Sequence, residues 1–208
     1  LIEAVYKDGV FSLDAFQEFF GKSYYYASIF NSVKIAIVVT VLSLLIGIPF
    51  SYFYSFFRLK GRKVLLILCL LCTMSAPFIG AYAWILLLGN SGLITKFIAS
   101  LGLPTVSIYG FGGIVFVQVL KLFPLIVIYM NGAFRDIDNS LLEAAESMGC
   151  KGLDRFRRVT MALTMPTILA GALLVFMRSF ADFGTPALIG RGYSTFPVLI
   201  YNQFLGEN

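Results

Sequence analysis

Four stretches of the chain stay apolar long enough to be counted in membrane thicknesses, and charged or glycine-rich sequence separates them. They run from about Ile29 to Phe57, from about Val64 to Leu88, from about Gly112 to Met130 and from about Pro166 to Leu188. A helix needs about 20 apolar residues to cross the hydrocarbon core of a bilayer. The pattern therefore predicts an all-α membrane protein, a polytopic bundle with four spans. Pro49, Pro77 and Pro124 fall inside the first three stretches, and Pro186 lies near the end of the fourth. Spanning helices tolerate proline where neighbouring helices or water satisfy the freed carbonyl, so kinked, mutually packed helices are expected rather than lone anchors.

The polar connections set the expected orientation. The first, "RLKGRK", carries Arg58, Lys60, Arg62 and Lys63. The third carries Arg135, Lys151, Arg155, Arg157 and Arg158. Residues 89–111 hold only Lys96 among Lys and Arg, and the tail from Gly190 holds only Arg191. Lysine and arginine accumulate on the cytoplasmic side of membrane proteins. The first and third connections are thus expected in the cytoplasm, with the N-terminal stretch, the second connection and the tail outside. The expected organisation is an extracytoplasmic lead-in over residues 1–28, a transmembrane domain over 29–189 with a cytoplasmic loop over 131–165, and a tail over 190–208. The lead-in ends in an aromatic belt at Tyr24, Tyr25 and Tyr26. The segment from Gly92 to Gly102 fits a short interfacial helix. The chain begins at Leu1 rather than methionine and is expected to be a fragment.

Composition agrees with a bilayer as solvent. Hydrophobic residues make up 59% of the 208 and charged residues 13%, against about 25% charged in ordinary soluble domains. Mean hydropathy is +0.86. The net charge of +5 is small and local, which argues against nucleic acid as a partner and leaves membrane lipid as the surroundings. The absence of histidine removes the commonest metal ligand and general base. Cys69 and Cys72 share a helix face, but no second CxxC or histidine completes a metal site, so packing is the favoured reading. Cys150 lies in the polar third connection.

That connection is structured. Ser140-Leu141-Leu142-Glu143 fits a capping box, in which Ser140 accepts from the Glu143 N–H and Glu143 reaches back to the Ser140 N–H. Asp136 and Asp138 precede the start, where negative charge suits the helix dipole. Gly149 suits a left-handed stop. A second short helix is expected from about Leu153 to Val159, with Arg155 and Arg158 flanking its apolar side and available to lipid headgroups or an acidic partner. Two readings stand here: a hairpin that only caps the bundle, or a docking knob in which Ala144, Ala145 and Gly149 admit close approach by another protein.

Ionisable residues inside spans are costly and are functional candidates by default. Lys121 lies about 13 Å below the outer end of the third span, and Asp182 about 9 Å below that of the fourth, at the helical rise of about 1.5 Å per residue. Gln118 shares the Lys121 face. Arg178 and Asp182 stand at i and i+4 and are expected to pair, near Lys121. Either this is a buried structural cluster, or it lines or gates a translocation pathway. Few oxygen ligands accompany Asp182, chiefly Tyr129 and Tyr82, so a hard cation would find little coordination here.

The residues "EAAESMGCKGLDRFRRVTMALTMPTILAG" resemble the EAA loop of permease subunits of ATP-binding-cassette importers. Glu143, Ala144, Ala145 and Gly149 match the pattern, and Val159 follows Gly149 after nine residues at the aliphatic position. Met161 and Ala162 depart from the usual leucine and proline, and Pro166 matches a second proline common in the family. Ala76–Ile94, Ile108–Pro124 and Gly171–Gly190 further resemble ferric-iron importer permeases, so that the likeness covers nearly everything from Asn31 onward. The resemblance implies a permease half in a prokaryotic inner membrane. Its partners would be a second half or subunit, an extracytoplasmic substrate-binding protein and separate ATPase subunits that dock on Glu143, Ala144, Ala145 and Gly149. It implies further spans, one after this tail and one before Leu1. Ferric iron is the implied cargo, with thiamine or a phosphonate as alternatives. The sequence has no GxxxxGK[ST] motif, so no cofactor is expected on this chain and ATP would be bound by the partner. An autonomous channel or ion-coupled carrier is the competing class, and the structured insert argues against it. A membrane enzyme lacks support, since neither a Ser-His pairing nor paired carboxylates are apparent.

Overall fold

The computed structural model describes residues 6–7, 10–11, 23–56, 61–74, 76–102, 107–150 and 152–205. Most of the lead-in, together with Phe57, Arg58, Lys60 and Lys151, lies outside the described residues. A two-residue antiparallel pair, β1 (Tyr6–Lys7) with β2 (Val10–Phe11), precedes the helices. The other elements of the described residues are helices, as expected. The helices are α1 (Ser23–Phe56), α2 (Arg62–Thr73), α3 (Pro77–Leu88), α4 (Leu93–Ser100), α5 (Phe111–Arg135), α6 (Asn139–Ser147), α7 (Leu153–Arg155), α8 (Met161–Phe180), α9 (Gly184–Ile189) and α10 (Phe196–Leu205).

Among the described residues, four helical stretches are long and apolar enough to cross a membrane: Ser23–Phe56, Phe78–Ser100, Phe111–Arg135 and Phe156–Phe180. The second of these is interrupted at residues 89–92, between α3 and α4. α5 is the central helix: 56% of its spanning window is buried, against 28% or less for the others. It is sandwiched between α1 and α8. Small residues let the backbones approach, as in other membrane bundles. A Cβ on Gly47 of α1 would stand 2.8 Å from the Ile126 side chain of α5, and one on Gly171 of α8 would stand 3.1 Å from the same side chain. Ile126 is therefore a knob held between two glycines. Ser51 Oγ donates to the Val127 carbonyl at 3.3 Å across the same crossing. Ile35, Val39, Ile114, Met130, Val175 and Ile189 complete the core. Outward-facing Phe30, Leu45, Leu173 and Met177 are each more than 60% exposed, an apolar surface too large for water and suited to lipid or to another membrane helix.

Three expected boundaries move, each for a local reason. The stretch from Val64 to Leu88 forms α2 and α3, because Pro77 takes the first position of a new helix and holds Ala76 extended, with φ −62° and ψ 142°. Proline lacks an N–H and disfavours helical geometry in the residue before it. The fourth span stops at Phe180 instead of running to Leu188, and Asp182 lies in the connection before α9. The third connection is shorter than 131–165. α5 continues to Arg135, and the short helix expected over Leu153–Val159 is the root of the next span: α7 runs into a π-helical turn, Phe156–Thr160, and on into α8.

Candidate functional site

Two polar sites stand about 20 Å apart along α5, at its rise of about 1.5 Å per residue. One is the connection after Arg135, and the other surrounds Lys121.

In the connection, Asp138 caps α6. Its Oδ1 accepts from the Ser140 backbone N–H at 2.9 Å, so the capping box expected between Ser140 and Glu143 is not the one formed. The helix begins at Asn139, two residues too early for Ser140 to stand outside it as the N-cap, and the aspartate two residues upstream of Ser140 takes that position instead. The Ser140 backbone N–H, and secondarily its hydroxyl, hold the Asp138 carboxyl below the ordinary aspartate range. The stop is as expected. Gly149 is left-handed at φ 90°, its N–H donates to the Glu146 carbonyl at 3.0 Å, and the Cys150 N–H donates to the Ala145 carbonyl at 3.0 Å. This is a Schellman closure, which satisfies the last carbonyls of the helix.

The helix has two unlike sides. Leu142 is buried, and the helix packs against α7 and the π-helical turn. Leu141, Ala144 and Met148 form an exposed apolar stripe at helical spacing, with Met148 86% exposed. Glu143 is exposed beside the stripe, and Ala145 is half-buried. Arg155 Nη1 meets Glu146 Oε2 at 2.9 Å, which ties α6 to the root of the following span. Arg155 is therefore engaged within the chain rather than turned outward. Immediately after it, the Phe156 ring packs on Tyr52 of α1 with 4.4 Å between centroids.

Around Lys121, four polar side chains converge in the bundle. Gln118 and Thr185 are fully buried, and Ser179 and Asp182 nearly so. Ser179 Oγ donates to Gln118 Oε1 at 2.5 Å, Gln118 Nε2 donates to Asp182 Oδ2 at 3.0 Å, and Thr185 Oγ1 donates to the same oxygen at 2.6 Å. The other carboxylate oxygen, Oδ1, lies 3.7 Å from Lys121 Nζ. The expected Arg178–Asp182 pair is thus replaced by Lys121–Asp182. Once α8 ends at Phe180, residues 178 and 182 no longer share a helical face. Arg178 is exposed and lines, with Lys121 and Asp182, an open cavity of about 840 Å³ bounded by the end of α2, the middle of α5 and the end of α8. Thr73, Leu122, Leu174 and Met177 add to its wall. Tyr82 and Tyr129 are not part of it. Cys69 and Cys72 carry free thiols, the first buried and the second exposed.

Sequence reasoning selects Gln118, Lys121, Arg178 and Asp182 but misses Ser179 and Thr185. Their signal is present: Ser179, Asp182 and Thr185 recur every third residue in an otherwise apolar run.

A family model described as the binding-protein-dependent transport system inner membrane component matches residues 43–206. The spermidine/putrescine transport system permease protein PotB of Haemophilus influenzae is 32% identical over 165 residues, 78% of this chain and 58% of that protein. The ferric transport system permease protein FbpB of Actinobacillus pleuropneumoniae is 26% identical over 210 residues, 99% of this chain and 30% of that protein. This chain therefore spans between about a third and three fifths of the length of these relatives. In the crystal structure of a bacterial alginate transporter of the ATP-binding-cassette type, in complex with its alginate pentasaccharide-bound periplasmic protein, one chain superposes with a TM-score of 0.79 at 18% identity. The superposition covers 94% of this chain and 72% of that one, and it establishes a shared fold.

Proposed function

The chain belongs to the family of inner membrane components of binding-protein-dependent transport systems, and from that premise we propose that it supplies one permease half of an ATP-driven importer. It is a multi-pass membrane protein whose α6 is the docking element for a separate ATPase subunit on the cytoplasmic side. Glu143, Ala144, Ala145 and Gly149 form the contact, and the cavity beside Lys121, Arg178 and Asp182, with Gln118 behind it, belongs to the substrate pathway. A second permease half completes that pathway, and an extracytoplasmic binding protein delivers cargo to it.

The observation that carries this reading is the exposed stripe of Leu141, Ala144 and Met148 on a helix closed at both ends and fixed to the root of a spanning segment. A helix serving only as a lid would turn its apolar residues inward. Movement imposed on α6 has a direct route through Glu146–Arg155 into α8 and through Phe156–Tyr52 into α1. The test is Gly149→Asp in the assembled transporter. Aspartate at φ 90° is strained and puts a charge at the docking face. ATP-dependent uptake should fall by at least about tenfold, the equivalent of about 1.4 kcal/mol, while the amount of permease in the membrane stays the same. Uptake that survives at the wild-type rate overturns the docking role.

Ferric iron is the cargo implied by the resemblance to ferric permeases and supported by the 26% identity to FbpB. The polyamine permease matches at higher identity over a shorter stretch, so similarity by itself favours no single cargo.

A further inference from the structure

The open cavity between the end of α2, α5 and the end of α8 carries charge, and the charges do not balance. Lys121 and Arg178 both line it, and Asp182 is the one carboxylate among the described lining residues. That carboxylate is already engaged. Oδ2 accepts from Gln118 and Thr185, and Oδ1 faces Lys121. Asp182 is also the buried member of the ion pair, with its side chain 6% exposed against 23% for Lys121. The carboxylate is thus turned into the bundle and the ammonium toward the opening. Arg178 stands exposed on the cavity wall and has no carboxylate partner among the described residues. Its guanidinium can present a fork of N–H donors to oxygen acceptors. Among the described lining residues, a cationic cargo would meet two positive side chains and no unengaged carboxylate.

We propose that cargo crosses this cavity as an anion, held through its oxygens by Arg178 and Lys121, and that polycations and bare metal ions are disfavoured there. The inference rests on the permease reading and narrows its substrate class. A free oxyanion and an anionic chelate of ferric ion share the chemistry required. Gln118, Ser179 and Thr185 act behind the site. They hold Asp182 in place, which keeps Lys121 at the edge of the cavity.

Small charged thiol reagents can test this whatever the cargo is. In the complete membrane-embedded transporter, Cys69, Cys72 and Cys150 are replaced by alanine, and Leu174→Cys places one thiol on the cavity wall. Its labelling is followed with a negatively charged sulfonatoethyl and a positively charged trimethylammonioethyl methanethiosulfonate, each rate normalised to that of free cysteine. The anionic reagent should be favoured by about tenfold, the lower end of what a cleft lined by one sign of charge achieves with counter-ions. Arg178→Gln should remove most of that preference, and Arg178→Lys should retain it. Equal normalised rates, or a preference for the cationic reagent, overturn the proposal. Protection of the thiol by molybdate identifies a free oxyanion as the fitting source, protection by ferric citrate alone identifies the chelate, and protection by spermidine overturns the anion assignment. The permease reading is scored separately by ATP. If both labelling rates ignore ATP with the ATPase bound, alternating access fails whatever the charge preference.

Discussion

The two polar sites of this protein are built by opposite rules. α6 is exposed, and neighbours within a dozen residues define it: Asp138 caps it, Gly149 closes it and Arg155 braces it. The cluster around Asp182 is buried, and its members Gln118 and Ser179 come from positions 61 residues apart. The first site is assembled by local backbone chemistry and leaves an apolar stripe exposed, the face proposed to meet a separate subunit. The second is assembled by packing and satisfies itself, apart from the face that Lys121 and Arg178 turn to the cavity. Changes in the second should therefore cost stability before function. Changes in the first should cost function with little effect on stability.

The strongest way to break this contrast is Asp182→Ala. It leaves Gln118 and Thr185 without their shared acceptor and Lys121 without its ion-pair partner, and losing one partner of a buried charged network costs about 3 kcal/mol. Thermal unfolding in detergent should drop clearly, and adding Lys121→Met should restore part of the loss. An unchanged melting temperature for Asp182→Ala would mean that the cluster does not support the bundle. Ser179→Ala is a milder probe, because it strips one donor from Gln118 Oε1 and should cost about 1–2 kcal/mol. Glu146→Gln, at the exposed site, should cost about 0.5 kcal/mol or less, the ordinary worth of a surface ion pair. The same variant should slow ATP-driven uptake if the Glu146–Arg155 tie transmits movement, and full-rate uptake would remove it from the route.

The smallest effect is a pH dependence confined to the start of α6. Folding lowers the Asp138 pKa, so the folded form binds its proton less readily than the unfolded one. The cap's contribution is complete above the unfolded aspartate pKa. It is lost as pH falls through the lower folded value. Amide exchange across residues 139–143, corrected for its intrinsic pH dependence, should show faster opening in that acid window. Asp138→Asn keeps the cap without the titration and should flatten the response. A response that survives in Asp138→Asn must come from another group.

The same contrast explains which features are legible in the sequence. The four apolar stretches, the closure at Gly149 and the EAA spacing are local patterns, and each can be read directly. The N-cap is two residues from its expected place because Asp138 and Ser140 are both good caps, and only the start of the helix decides between them. The break before Pro77 has a local signal in the proline, which fits a kink as readily as a stop, whereas the stop at Phe180 lies in a run that remains apolar, where hydropathy says nothing of backbone direction. That stop changes the candidate site. With α8 ended at Phe180, Asp182 faces Gln118 and Lys121 of α5 instead of standing one helical turn from Arg178. Ser179 and Thr185 do not stand out because a lone hydroxyl in an apolar run is ordinary; Gln118 on α5 supplies the acceptor for the first, and Asp182, in the connection before α9, that for the second.

The most direct test of the docking account compares the two ends of the bundle by cross-linking. In the assembled transporter lacking its native cysteines, Met148→Cys and Arg191→Cys are each treated with a short bifunctional thiol reagent, against an ATPase subunit carrying one surface cysteine near its permease-facing side. Both positions are exposed and they lie at opposite ends of α5's path. The account predicts an adduct from Met148→Cys to the ATPase whose yield changes with ATP, and none from Arg191→Cys. An ATPase adduct from Arg191→Cys, with none from Met148→Cys, would contradict it.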